Sequence, residues 1–260
     1  MRPLSHATRA DLESLLRARR LDRTLTTALP PIDPHDEYAI GPTGVARLDE
    51  ALGGGFPRGQ LSEIVGARSS GRASLLVRLL AAATARGELV ALIDALDMFD
   101  VESAEAAGVD LSRLLWIRGH VVVHPGPCRD QNRRGMEQAI RALSLVFGAG
   151  NFGLVAFDAG EAPADAFRRL PFTTWLRLQR MIEGRQTIGV LVGGAPMARS
   201  SAGLTVRLCR AQGSGLGVGG TRFRGQLFEG LDVEVHVIRA RARVHEDTRV
   251  ALATTAAAYA

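Results

Sequence analysis

Apolar residues along the chain fall into short runs and helical stripes that alternate. Residues 61–65 and 89–93 are apolar runs of strand length, and between them Leu75, Leu76, Leu79, Leu80 and Ala83 recur at the spacing of one helix face. A short run at 114–117 follows, then Met136, Ile140, Leu143 and Phe147 on one helical stripe, then a buried strand at 154–157 that ends in Asp158. Trp175, Leu178 and Ile182 mark the next helix, and 188–192 the strand after it. Strands that alternate with helices imply a parallel sheet covered on both faces. After Gly203 the period changes: 204–210, 223–228 and 232–239 read as strands with no helix between them, with a weak last strand near Val250, so an antiparallel extension after residue 203 is expected. The fold class is therefore α/β, with a mainly parallel sheet flanked by helices.

Upstream, residues 9–24 read as a basic helix with Leu12, Leu15 and Leu16 on one stripe and Arg17, Arg19, Arg20 and Arg23 around it. Pro30, Pro31 and Pro34 then break the chain. The expected organisation is an N-terminal helical arm and linker over residues 1–38, a core over 39–250 and a flexible Ala/Thr-rich tail over 251–260. The arm either packs on its own core or docks on a partner through Leu12, Leu15, Leu16, Arg19 and Arg20.

Composition changes this picture in one respect. The chain has 260 residues and a formal net charge of +5, and all 32 basic residues are arginine because no lysine occurs. That is what a GC-biased bacterial genome would produce, so a single arginine is not by itself a choice for bidentate binding. The basic balance suits nucleic acid or an acidic protein surface and does not choose between them. Cys128 and Cys209 stand far apart, which gives neither a disulfide framework nor a zinc ribbon. His120, His124 and Cys128 are spaced by four, but the valines between the histidines favour packing, and no metal site is expected. The glycine string 213–220 precedes no helix and reads as a hairpin loop. With early charges and no apolar run of membrane length, a cytoplasmic protein without a membrane partner is expected.

The chemistry sits between the first strand and its helix. Gly66-Ala67-Arg68-Ser69-Ser70-Gly71-Arg72-Ala73 has the two glycines of a phosphate-binding loop at the right separation. In a working loop a lysine reaches the β- and γ-phosphates and a Ser/Thr hydroxyl holds magnesium; those places are taken by Arg72 and Ala73. Ser74, one place on, faces about 100° away.

Around this loop the sequence resembles the RecA recombinase core. The likeness is carried by 40–44, 48–55, Pro57-Arg58-Gly59-Gln60, Glu63-Ile64 and Gly66, then Leu92-Ile93-Asp94-Ala95 with Asp100, Ala107-Gly108-Val109-Asp110 and Leu114-Leu115. What the resemblance implies is a RecA-like P-loop core, and residue by residue it exposes losses. Where the family has its water-activating Glu after Ile-Asp-Ala, Leu96 stands; Asp97 is adjacent but would point to the other face of an extended strand. Asp158 matches the Walker B carboxylate and is equally an ordinary strand-end residue. The family's sensor amide falls near Gly193 or Gly194. The second DNA-binding loop would have only 193–201 to occupy, and the first, at 160–170, has Arg168 and Arg169 as its basic residues. Arg239 and Arg241 fall where RecA carries basic residues that reach a neighbour's nucleotide, or are simply solvated.

A narrower resemblance lies in the run 168–180 and in 198–205, which look like ImuA, a short RecA-like protein of bacterial mutagenesis cassettes. It implies a role in SOS-induced translesion synthesis through contact with RecA and the polymerase-like ImuB, with DNA met weakly or indirectly. The expected function is a non-catalytic adaptor with a degenerate nucleotide site (Gly66, Ser69, Ser70, Gly71, Arg72, Ala73 and Asp158) and no cofactor. The alternatives are a divergent RecA-type ATPase that retains ATP or ADP, and a nucleotide-independent DNA-binding factor.

Overall fold

A computed structural model of the chain describes residues 39–121, 129–162, 167, 170–198, 202–210, 230–240 and 246–255. The arm with Leu12, Leu15, Leu16, Arg19 and Arg20, and also Arg168, Arg169, Arg241, His124, Cys128 and the glycine string 213–220, lie outside the described residues. So does the expected strand 223–228.

A small antiparallel pair, β1 (Ile40–Gly41) and β2 (Phe56–Pro57), brackets helix α1 (Ala46–Ala51) at the start of the core. The strand β3 (Leu61–Gly66) then leads through the glycine loop into α2 (Arg72–Ala85) and on to β4 (Val90–Asp94). Helix α3 (Val101–Ala106) starts at Asp100, whose carboxylate accepts from the Ser103 amide and hydroxyl, an ordinary N-cap. Strand β5 (Leu114–Arg118), the long helix α4 (Arg129–Ala149), β6 (Leu154–Asp158), α5 (Phe172–Ile182) and β7 (Ile188–Gly193) continue the alternation. Three strands follow without helices: β8 (Leu204–Arg210), β9 (Gly230–Ala240) and β10 (Arg249–Thr255).

The eight long strands form one sheet in the order β10-β9-β8-β3-β7-β6-β4-β5. Two buried clusters cover its faces. Val90 and Leu92 of β4 point to the α1, α2 and α3 side, whereas Ala91 and Ile93 point to the α4 and α5 side. A strand buried on both faces must be apolar at every position, which is why these strands read as runs and not as alternations.

Two expectations are sharpened. Strand β8 runs parallel to β3, and antiparallel pairing begins only at β9. The chain leaves β7 and crosses β3 to reach β8, so lack of a helix in the sequence did not mean a hairpin. Residues 251–255, expected as tail, are instead paired in register with β9.

That crossing is anchored by a fully buried carboxylate. Glu63 of β3 accepts from the Met197 amide (2.6 Å), the Ala198 amide (2.7 Å) and the Thr205 hydroxyl (2.9 Å). Removing this buried acceptor strands two amides without water. Glu63→Ala is expected to destabilise the chain by about 3 kcal/mol or more in urea titration, with Glu63→Gln falling between it and the parent.

Among the described residues no helix is long and apolar enough to cross a membrane.

Candidate functional site: a nucleotide cleft closed by its own arginine

The sheet order places the loop-bearing β3 beside β7, with β6 and its terminal Asp158 one strand further. The loop and Asp158 therefore face each other at the C-terminal ends of parallel strands, where α/β sheets bind ligands. Gly71 caps α2 with φ +94, a left-handed conformation that a Cβ would strain, and Ser69 takes φ +59 in the same loop. The loop thus enters α2 through two left-handed residues. The Ser70 hydroxyl is buried in it without a hydrogen-bond partner.

The side chains fill the cleft in a different way. Arg72, at the first position of α2, is buried, and its Nη1 donates to the Gly160 carbonyl at 3.2 Å while Nη2 pairs with the Glu161 carboxylate. Its guanidinium spans the cleft from the α2 end to the turn after β6. Ala73 is exposed and offers no oxygen beside it, and Ser74 is exposed too.

Gly160 is the hub of this closure. It sits at φ +47, its amide donates to Asp158 Oδ1 at 2.7 Å, its carbonyl takes Arg72, and Leu96 packs so close that a Cβ there would lie 3.1 Å from Leu96 Cδ1. Leu96, in the place of the resembled family's base, therefore acts as an apolar cover that joins the core on the α4 and α5 side.

Asp158 lies beside the buried Asp94, its register partner on β4. Burial pushes its carboxyl from the ordinary 3.8 up to about 6; the Gly160 amide opposes the shift, Asp94 adds to it and Arg72 opposes it. Asp94 is itself engaged, with Oδ2 accepting from the Phe99 amide at 2.8 Å.

The strand β4 ends at Asp94, so Leu96 and Asp97 stand in a turn and not in extended backbone; Asp97 has φ +58. Its carboxylate makes a two-pronged pair with Arg118 at 2.6 and 2.8 Å, and that hydrogen bonding holds it below the usual carboxylate range. Arg118 in turn lies over the Trp116 ring at 4.8 Å. Asp97 is thus drawn toward the β5 edge and away from Asp158.

Gly193 ends β7 and packs near Met197, and Gly194 is exposed; neither carries a side chain toward the cleft. Arg239 is half-buried on β9 in register with Thr205. His120 is exposed at the end of β5, and no cluster of potential metal ligands occurs among the described residues.

The arrangement has the architecture of a RecA-like P-loop α/β core. The family profile of the RecA N-terminal domain matches residues 33–120. The chain is similar to Protein RecA of Clavibacter michiganensis subsp. michiganensis, with 35% identity over 54% of this chain and 39% of the relative. It is also similar to Protein RecA of Streptomyces avermitilis (33% identity over 50% of this chain and 31% of the relative) and of Chlorobaculum parvum (47% over 28% and 21%). The chain thus spans about two fifths or less of the length of these curated relatives, and the likeness is strongest over the short stretch shared with the last of them.

Sequence reasoning had found the loop, Arg72, Ala73, Leu96 and Asp158. It had not found Glu161 or the hub at Gly160. Glu161 lies 89 positions from Arg72, and no local pattern marks so distant a partner. An arginine in the lysine's place does raise the question of which carboxylate receives it.

Proposed function

We propose that this chain is a RecA-like scaffold that does not turn over nucleotide and works by binding other proteins. The observation that carries this reading is the commitment of Arg72 to Glu161 and the Gly160 carbonyl, within the cleft where a triphosphate would lie. A magnesium-nucleotide needs three things that the described cleft does not offer in their usual places: a hydroxyl directly after the cation that follows Gly71, that cation free to meet phosphate, and a carboxylate base after β4. Ala73, the tied Arg72 and Leu96 occupy those places. The residues present do not fit the group.

The partners follow from the resemblance of 168–180 and 198–205 to ImuA. On that basis the protein is an adaptor in DNA-damage-induced (SOS) mutagenesis that meets RecA and ImuB during translesion synthesis. Mutational loss of a hydrolytic site costs an adaptor nothing, provided the sheet and its surfaces persist; the intact strand order is consistent with that. In co-precipitation with RecA and ImuB from the same organism, full-length chain is expected to retain both. Retention of neither would remove the adaptor reading. The same assay without residues 1–38 reports whether the arm contributes to either contact.

A further inference from the structure

The two helical layers differ in charge. On one face of the sheet, α1, α2 and α3 carry Arg47, Arg78 and the buried Arg72 against Asp49, Glu50, Glu102 and Glu105. On the other, described side chains of α4 and α5 are Arg133, Arg134, Arg141, Arg177 and Arg180 against Asp130 and Glu137. Arg133 takes both of those carboxylates, at 3.8 and 3.0 Å. Arg134, Arg141, Arg177 and Arg180 are exposed and have no partner among the described residues. An arginine-rich genome alone would load both faces alike, so the imbalance asks for a reason particular to this face.

These side chains point the same way. Arg134, Gln138, Arg141 and Leu145 follow one another at three or four residues along the outward stripe of α4, opposite the stripe of Met136, Ile140, Leu143 and Phe147 that enters the core. Thr173, Arg177 and Arg180 form the outward stripe of α5. The helices follow parallel strands and so run side by side in the same direction. Their C-terminal ends meet: the Arg185 Nη1 donates to the Phe147 carbonyl at 2.9 Å, and Met181 Cε lies 3.7 Å from where a Gly148 Cβ would be. Arg141 and Leu145 therefore stand on the helix next to Arg177 and Arg180, within about a turn of their level.

Leu145, the last member of the α4 stripe, is 71% exposed beside these arginines. A phosphate backbone gains nothing from covering a leucine, whereas a protein segment that sets carboxylates against arginines and an apolar side chain on Leu145 uses both features. We propose that the outward face of α4 and α5 is a docking surface for an acidic protein segment that carries apolar side chains, held by Arg134, Arg141, Arg177 and Arg180 around Leu145. The surface lies on the helical layer across the sheet from α2 and includes no residue of the Arg72 cleft, so it stands or falls independently of the nucleotide reading.

The test uses the full chain and a fluorescein-labelled synthetic peptide with glutamates and leucines at helical spacing, followed by anisotropy. Arg141→Glu combined with Arg177→Glu is expected to weaken binding by about tenfold or more, and Leu145→Ser by about threefold, with thermal melting unchanged in both. The counterpart peptide with serine for leucine is expected to bind more weakly than the parent peptide. No peptide binding, binding indifferent to these substitutions, or equal binding of the serine peptide would each overturn the proposal. Tighter binding of a labelled oligothymidylate with the same arginine dependence would overturn it in favour of a nucleic-acid surface.

Discussion

A chain with Arg72→Lys and Ala73→Thr is expected to bind magnesium-ATP about a hundredfold or more tighter than the parent, without gaining turnover. Lysine at 72 carries a single compact ammonium that cannot bridge the Gly160 carbonyl and Glu161 at once as the planar guanidinium does, so it is held less firmly and can turn to phosphate. Threonine at 73 supplies the hydroxyl that magnesium needs beside the loop. The loop backbone is already set by Gly71 at φ +94, so no change of main chain is required. Turnover should stay absent because Leu96 still covers Gly160 where a base would stand. Isothermal titration of parent and variant with magnesium-ATP measures the gain. An unchanged, flat titration in a folded variant would mean that Arg72 is not what closes the cleft.

The second large effect is one of stability and pH. Asp158 titrates at about 6 in the folded chain against an ordinary 3.8. The folded state therefore keeps a proton that the unfolded state releases, and stability falls as pH rises from about 4 to about 6, then stays low. At about 1.4 kcal/mol for each pH unit, the full difference is of order 3 kcal/mol. Asp158→Asn keeps an Oδ1 acceptor for the Gly160 amide and removes the buried charge. It is expected to raise stability at pH 7.5 by about 2–3 kcal/mol, or roughly 4–12 °C in melting temperature for a chain of this size, and to change little at pH 4. Equal melting of parent and variant at both pH values would show that the carboxyl is not strained by its surroundings. A carboxylate whose removal stabilises the fold is characteristic of a site shaped once for a charged ligand.

Much of this was legible in the sequence, for identifiable reasons. Strands β3, β4, β6 and β7 are buried on both faces, so their apolar runs stand out against the helical stripes between them. The glycine loop is legible because its two glycines serve backbone geometry, which persists after the chemistry around it has changed. The replacements at Arg72, Ala73 and Leu96 are legible only against a known family. What the replacements do was not legible. That Arg72 bridges to Glu161, that Leu96 packs on Gly160, and that Glu63 ties down the crossing from β7 to β8 are contacts between segments far apart in the chain. The parallel run of β8 was hidden for the same reason, since strands without a helix between them look like a hairpin until their neighbours are known. The charge difference between the helical layers likewise emerges only once the sheet assigns each helix to a face.

The central claim is that the cleft is closed by its own arginine and performs no hydrolysis. The most direct measurement is ATP turnover by purified full-length chain, with magnesium and with and without single-stranded DNA, beside its Asp158→Ala variant. The account predicts no turnover above background in either protein, with or without DNA. DNA-stimulated turnover by the parent that Asp158→Ala abolishes would contradict it.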